Sequence, residues 1–287
     1  MIRLLRNIAL GLVALAVLAY AGALTYLYVE QRHLLYLNQP GAETPDIKGL
    51  AIADVRIPTA DGQTLQAWYE PPQPGKPVFL YLHGNDTTLE YGKWRYVRMH
   101  KEGAGYLALA YRGFSGSTGQ PSEKGVFIDG LAAYDWLRAK GFADRDIVIH
   151  GHSLGTGIAT YVATQRPARA LILEAPFTAA ADVAQDRYPF VPVALLMHDH
   201  FANRDRIKDV HMPVLIAHGT ADTTIPFAEG KALFDLANAP KVFVRMDGSG
   251  HNTLVRDGLY DRIWPFLGMK TEDVDPALAF TPGRKGH

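Results

Sequence analysis

The serine at position 153 has a glycine two residues away on each side, in Gly151-His152-Ser153-Leu154-Gly155. The apolar run 147–149 leads into it, and a small-residue run compatible with a helix follows. A serine hydroxyl is a weak nucleophile at neutral pH and needs a base beside it. Two residues supply a base and an acid in the order Ser, Asp, His: Asp222 in "AHGTADTTIP" and His251 in "DGSGHNT". Glu174 also follows a strand-like run and is the alternative acid. A sharp strand-to-helix turn would lift the Ser153 hydroxyl above its surroundings, and only small neighbours fit such a turn. The Leu154 N–H would then point to where an oxyanion develops. "LYLHGND" supplies a second donor after an earlier strand, the N–H of Asn85, with Asp86 as the alternative. In the same stretch Gly84 lets the backbone bend, and His83 is expected to hold the loop through its ring.

These residues need elements that bring them to one edge. Short apolar runs at 78–82, 106–110, 147–150, 170–173, 214–217 and 241–246 read as strands. Helical patterns at 89–101, 126–140, 154–165, 227–237 and 253–267 mostly alternate with them. Continuous apolar strands alternating with helices predict a parallel sheet covered on both faces. Runs at 52–57 and 64–70, joined by Asp61-Gly62, predict an antiparallel hairpin at one side. Ser153, Asp222 and His251 each follow a strand, so all three fall at the carboxyl edge, where open α/β sheets bind ligands. Residues 175–212 contain no clear strand and predict a helical cap. Its apolar stretch 190–197 could line an acyl pocket or simply pack the cap onto the sheet.

The motifs "LYLHGN", "YRGFSGSTGQPSEKG", "GHSLGTGIA", "LEAPFT", "PVLIAHGTADTTIP" and "GSGHN" resemble the α/β-hydrolase fold superfamily, closest to its membrane-anchored Bem46-like and ABHD-like serine hydrolases. The resemblance covers roughly residues 55–267. It implies an eight-stranded, mostly parallel sheet with helices on both faces and a short helical cap. It also implies a triad of Ser153, Asp222 and His251 with an oxyanion hole from Asn85 and Leu154.

The N-terminus departs from the average composition. Residues 8–29 carry no charge, and 22 helical residues span about 33 Å, the thickness of a bilayer's hydrocarbon core. Tyr20, Tyr26 and Tyr28 fall where an aromatic belt would lie. The other reading is a cleaved signal peptide with a small-x-small site at 19–21 or 21–23, although the run exceeds the roughly 7–15 residues of such a segment. The expected layout is therefore an anchor over 1–30, a linker over 31–49, a hydrolase domain over 50–270 and an irregular tail over 271–287. Arg3 and Arg6 favour a cytoplasmic N-terminus and an extracytoplasmic domain, with Arg32 opposing that bias.

The 287 residues are 48% hydrophobic and carry 29 basic and 29 acidic side chains, a balance that suggests no nucleic-acid partner. The absence of cysteine excludes disulfides, thiolate metal sites and a cysteine nucleophile. "HDHF" at 198–201 is too sparse for a metal site. "GFSGSTG" at 113–119 lacks the lysine of a phosphate loop and is expected to be a rim loop of the active site. The reading is a monomeric, membrane-anchored serine hydrolase that cleaves carboxylic esters or thioesters of a small or lipid-like acyl substrate, without cofactor or metal. An amidase or peptidase would use the same machinery, and a non-catalytic binding protein is the alternative from another class.

Overall fold

The computed structural model describes residues 1–37, 41–85 and 88–269. Asp86 and the tail 271–287 lie outside the described residues. The chain opens with α1 (Ile2–Leu35), followed by strands β1 (Ala53–Pro58), β2 (Thr64–Glu70) and β3 (Val78–Leu82). Next come α2 (Lys93–Lys101), β4 (Gly105–Leu109), α3 (Glu123–Ala139), β5 (Ile147–His152) and α4 (Gly155–Gln165). After β6 (Ala170–Glu174), the short helices α5 (Ala180–Arg187), α6 (Val193–Leu196) and α7 (Asn203–Arg206) build the cap. The chain returns to the sheet with β7 (Val214–Gly219), α8 (Phe227–Leu236), β8 (Lys241–Met246) and α9 (Leu259–Phe266).

All eight strands join one sheet in the order β1-β2-β4-β3-β5-β6-β7-β8. β2 is antiparallel to both β1 and β4, and every other pair is parallel. β3 to β7 are buried at every position, which is why their sequences read as unbroken apolar runs. Each fully buried large side chain there contributes roughly 1.5–3 kcal/mol. The edge strands β1 and β8 keep several positions exposed. β3 lies between β4 and β5, so the winding reverses at β3. The crevice outside that reversal is where an open α/β sheet receives a ligand. Asn85 follows β3 and Ser153 follows β5, one on each side of it.

Three elements differ from the sequence expectation. α1 does not stop at residue 30 but runs to Leu35, because its last three turns dock on the cap. Gln31 Nε2 donates to Leu196 O (3.1 Å), His198 N donates to Gln31 Oε1 (2.6 Å), and Arg32 pairs with Asp199 (3.1 Å). The last helix starts at Leu259 rather than 253. Residues 251–258 form turns instead, tied by Asp257, which accepts from Ser249 (2.7 Å) and Thr253 (2.6 Å). The 113–119 loop is not a rim of the site. It is laced to β2, with Gln66 N donating to Ser117 Oγ (2.8 Å) and Thr64 N to Thr118 Oγ1 (2.9 Å).

Candidate active site

The elbow is built as its glycines require. Ser153 holds a left-handed backbone with φ of 52°. A Cβ at Gly155 would lie 2.1 Å from Leu82 O, and one at Gly151 would lie 2.5 Å from Gly155 O. Neither position accepts a side chain without moving backbone. Ser153 N donates to Glu174 O (2.9 Å), which fastens the turn to β6.

The three side chains separated by up to 98 positions meet above this edge. Ser153 Oγ lies 2.9 Å from His251 Nε2, and His251 Nδ1 lies 2.8 Å from Asp222 Oδ2. With the ring proton on Nδ1 donated to the carboxylate, Nε2 is free to accept from the serine hydroxyl. Asp222 is itself clamped: its Oδ1 accepts from the backbone N–H groups of Thr224 (2.8 Å) and Ile225 (2.9 Å). Burial pushes the Asp222 carboxyl up, but hydrogen bonds from His218 and His251 outweigh it and hold the group well below the usual carboxylate range. Glu174 is occupied elsewhere. Arg95 grips it with two bonds (3.0 and 2.6 Å), and His150 lies 3.3 Å away. Arg95 overcomes the burial penalty and keeps Glu174 ionised.

The loop after β3 comes close to the elbow. A Cβ at Gly84 would lie 3.3 Å from that of Ser153. His83 Nδ1 bonds Gly84 O (2.7 Å), and the ring lies against Tyr111 at 4.3 Å, with burial holding its pKa down to about 4. The Asn85 side chain donates to Leu35 O at the end of α1 (3.0 Å). Among the described residues, neither the Asn85 nor the Leu154 backbone N–H is engaged by another protein group.

A cavity of about 290 Å³ opens above Ser153. Asn85, Leu154, Thr224 and Ile225 form its floor with the serine. The cap contributes Phe177, Val183, Val191, Leu196 and Met197. The opposite wall comes from α1, through Leu27, Gln31, Leu34 and Leu35. Such a space is small and mostly apolar, at the low end of the roughly 300–1,000 Å³ of ligand pockets.

Sequence reasoning missed three participants. His218, in the quoted "AHGTAD", lies 3.3 Å from Asp222 Oδ2 and donates to Ile225 O (3.0 Å), supporting the acid from behind. Arg95 neutralises Glu174 across 79 positions, a pairing with no local signature. The α1 wall also went unread, because an uncharged run shows anchoring potential and not which face docks. "HDHF" has a structural role: His198 packs edge-on against Tyr28 (4.8 Å), and Asp199 receives Arg32, Tyr36 (3.2 Å) and Glu123 N (3.0 Å).

Residues 94–263 match the prolyl oligopeptidase family. An uncharacterised protein of Mycobacterium tuberculosis is 36% identical over 249 residues, covering 85% of this chain and 88% of that protein. The lysophosphatidylserine lipase ABHD12 of Danio rerio is 37% identical over 197 residues, covering 61% of this chain and 51% of the lipase. The chain thus spans about half the length of that lipase. Among solved structures, an esterase of Pyrococcus furiosus superposes with a TM-score of 0.66 at 18% identity, covering 80% of this chain and 97% of the esterase. At that identity the likeness establishes the fold.

Proposed function

The chain belongs to the prolyl oligopeptidase family of α/β-fold serine hydrolases, and on that premise we propose that it cleaves carboxylic esters or thioesters of a lipid-like acyl compound at the membrane. The observation that carries this reading is the unbroken hydrogen-bonded line from Ser153 through His251 to Asp222 at the floor of an apolar cavity. Ser153 Oγ attacks the acyl carbonyl while His251 Nε2 takes its proton. Asp222 holds the imidazole in the required tautomer and stabilises the imidazolium. The Leu154 and Asn85 N–H groups receive the tetrahedral oxyanion. His251 then protonates the leaving group, and water, activated by the same ring, releases the acid.

The apolar walls favour an acyl chain over a polar peptide, and the relative named as a lipase supports the ester reading. α1 is long and apolar enough to cross a bilayer, with none of its residues buried in the protein. We read it as a single-pass anchor holding the domain outside the cytoplasm. The test is kcat/KM on p-nitrophenyl esters from C2 to C16 with the full chain. A maximum at roughly C4 to C8 is expected, since each CH₂ in the pocket adds up to about 0.8 kcal/mol until the space ends. Ser153→Ala should abolish both turnover and labelling by a fluorophosphonate while leaving the fold intact. Residual turnover within tenfold of wild type would remove Ser153 from the role. Peptide cleavage without ester cleavage would replace the ester reading with an amidase one.

A further inference from the structure

α1 has two parts. Every residue up to Ala23 is exposed, whereas from Leu24 onward Glu30 and one stripe become partly covered, the stripe being Leu24, Leu27, Gln31 and Leu35. Their spacing of three or four residues puts them on one helical face. Leu34, at i+3 from Gln31, borders the same face. Four of these residues, Leu27, Gln31, Leu34 and Leu35, line the cavity over Ser153.

The contact is fixed at several heights. Tyr20 donates to Phe190 O at the cap tip (2.5 Å). Gln31 uses both ends of its amide on the cap, accepting from His198 N and donating to Leu196 O. Arg32 reaches Asp199, and Tyr36 is buried beneath with its hydroxyl on the same carboxylate. At the helix end, Leu35 O accepts from the side chain of Asn85, which lines the cavity together with Ser153. An anchor that only tethered the domain would need none of these bonds.

We propose that the last three turns of α1 are part of the substrate site: they form the wall against which the acyl chain lies, and Leu27 and Leu34 set how long a chain is accepted. This inference rests on the acyl-transfer reading above. A chain bound at Ser153 has the sheet edge below it, the cap on one side and the helix on the other. The wall residues lie on one face of α1 that continues into its exposed apolar segment, so a chain lying along them would run beside the anchor.

The experiment uses the full-length protein in lipid nanodiscs. Leu27→Trp and Leu34→Trp each fill the wall. Each should lower kcat/KM for the octanoate ester at least tenfold and leave the acetate ester within twofold of wild type. His33→Trp, on the exposed side of the same turn, should leave the whole series within twofold. A second readout is independent of turnover. The chain has no cysteine, so Leu27→Cys, Leu34→Cys and His33→Cys each give one thiol. Decanoate should slow N-ethylmaleimide labelling at least fivefold at positions 27 and 34 and leave position 33 unchanged. Chain-length profiles parallel to wild type in both tryptophan variants, or equal labelling with and without decanoate at 27 and 34, would overturn the proposal. If wild type cleaved no ester at all, the ester reading would fall while decanoate protection still decided the wall.

Discussion

Ser153 stands in a backbone region that costs a non-glycine residue of order 1–3 kcal/mol, and the surrounding fold holds it there. The 2.1 Å approach of a Gly155 Cβ to Leu82 O would force β3 and the elbow apart. Gly155→Ala should therefore lower both thermal stability and fluorophosphonate labelling rate, measured on the same preparation. Asp222→Asn should cost about 10⁴ in kcat, as loss of the tautomer-holding acid does in other triads. Glu174→Gln should act differently. Leaving Arg95 buried without its partner should destabilise the fold by about 3–5 kcal/mol, with kcat of the folded enzyme falling far less than for Asp222→Asn. Glu174 and Asp222 both have carboxyls held below their ordinary values, so the native state binds fewer protons than the unfolded chain. Their stabilisation is complete above the ordinary carboxylate value of about 4.3 and is lost as the pH falls below it. Chemical denaturation between pH 7 and 3 should show this decline, with a shallower slope in Glu174→Gln. The Ser, Asp and His were legible because each falls in the turn or loop that follows a strand-like run. Their supports were not: Arg95 and Glu174 meet only once α2 packs on the sheet beside β4 and its Arg95 reaches the end of β6, and nothing local to either announces the pair.

At the scale of elements, β3 to β7 were legible as unbroken apolar runs because both faces of a parallel sheet are covered, and the edge strand β8 was legible despite its Lys241 and Arg245. Their limits moved by one or two residues, as at β5, which extends through His152 as far as the elbow. The errors lie where tertiary contact overrides pattern. Gln31 and Arg32 look like the start of a linker, yet α1 continues because both side chains find partners on the cap. The glycine-rich 113–119 stretch looks like an open rim, yet β2 takes up its hydroxyls and N–H groups. The bond from Asn85 to Leu35 O joins two elements that the sequence separates by 50 positions. Asn85→Ala keeps the backbone N–H but releases this tie. A fall in kcat of about tenfold, or ~1.4 kcal/mol of barrier, is expected, with KM little changed. Steady-state kinetics on a short ester checks it, and an unaltered kcat would mean the tie has no effect on the oxyanion loop.

For the whole molecule, the proposed orientation predicts that protease added to spheroplasts of a bacterial host digests the catalytic domain, and full protection would reverse the topology. The 34 residues of α1 measure about 51 Å against a hydrocarbon core of about 30 Å. The surplus is the docked end, whose polar members Gln31 and Arg32 are committed to the cap. Phe190 and Leu195 stand out from the cap, 85% and 81% exposed, and Phe190 is fastened to the helix at Tyr20, eleven residues before Gln31. Under the proposed anchoring, α1 is a built-in ruler for the bilayer it crosses. Hydrophobic mismatch costs fractions of a kcal/mol per Å, met by tilting the helix or deforming the lipid. Because the ruler's upper marks also wall the cavity, tilt would be felt at Ser153. Turnover should therefore vary with lipid length across vesicles from dimyristoyl- to dierucoyl-phosphatidylcholine, highest where thickness matches the exposed part of the helix. A flat profile would mean that the enzyme does not sense how thick its bilayer is.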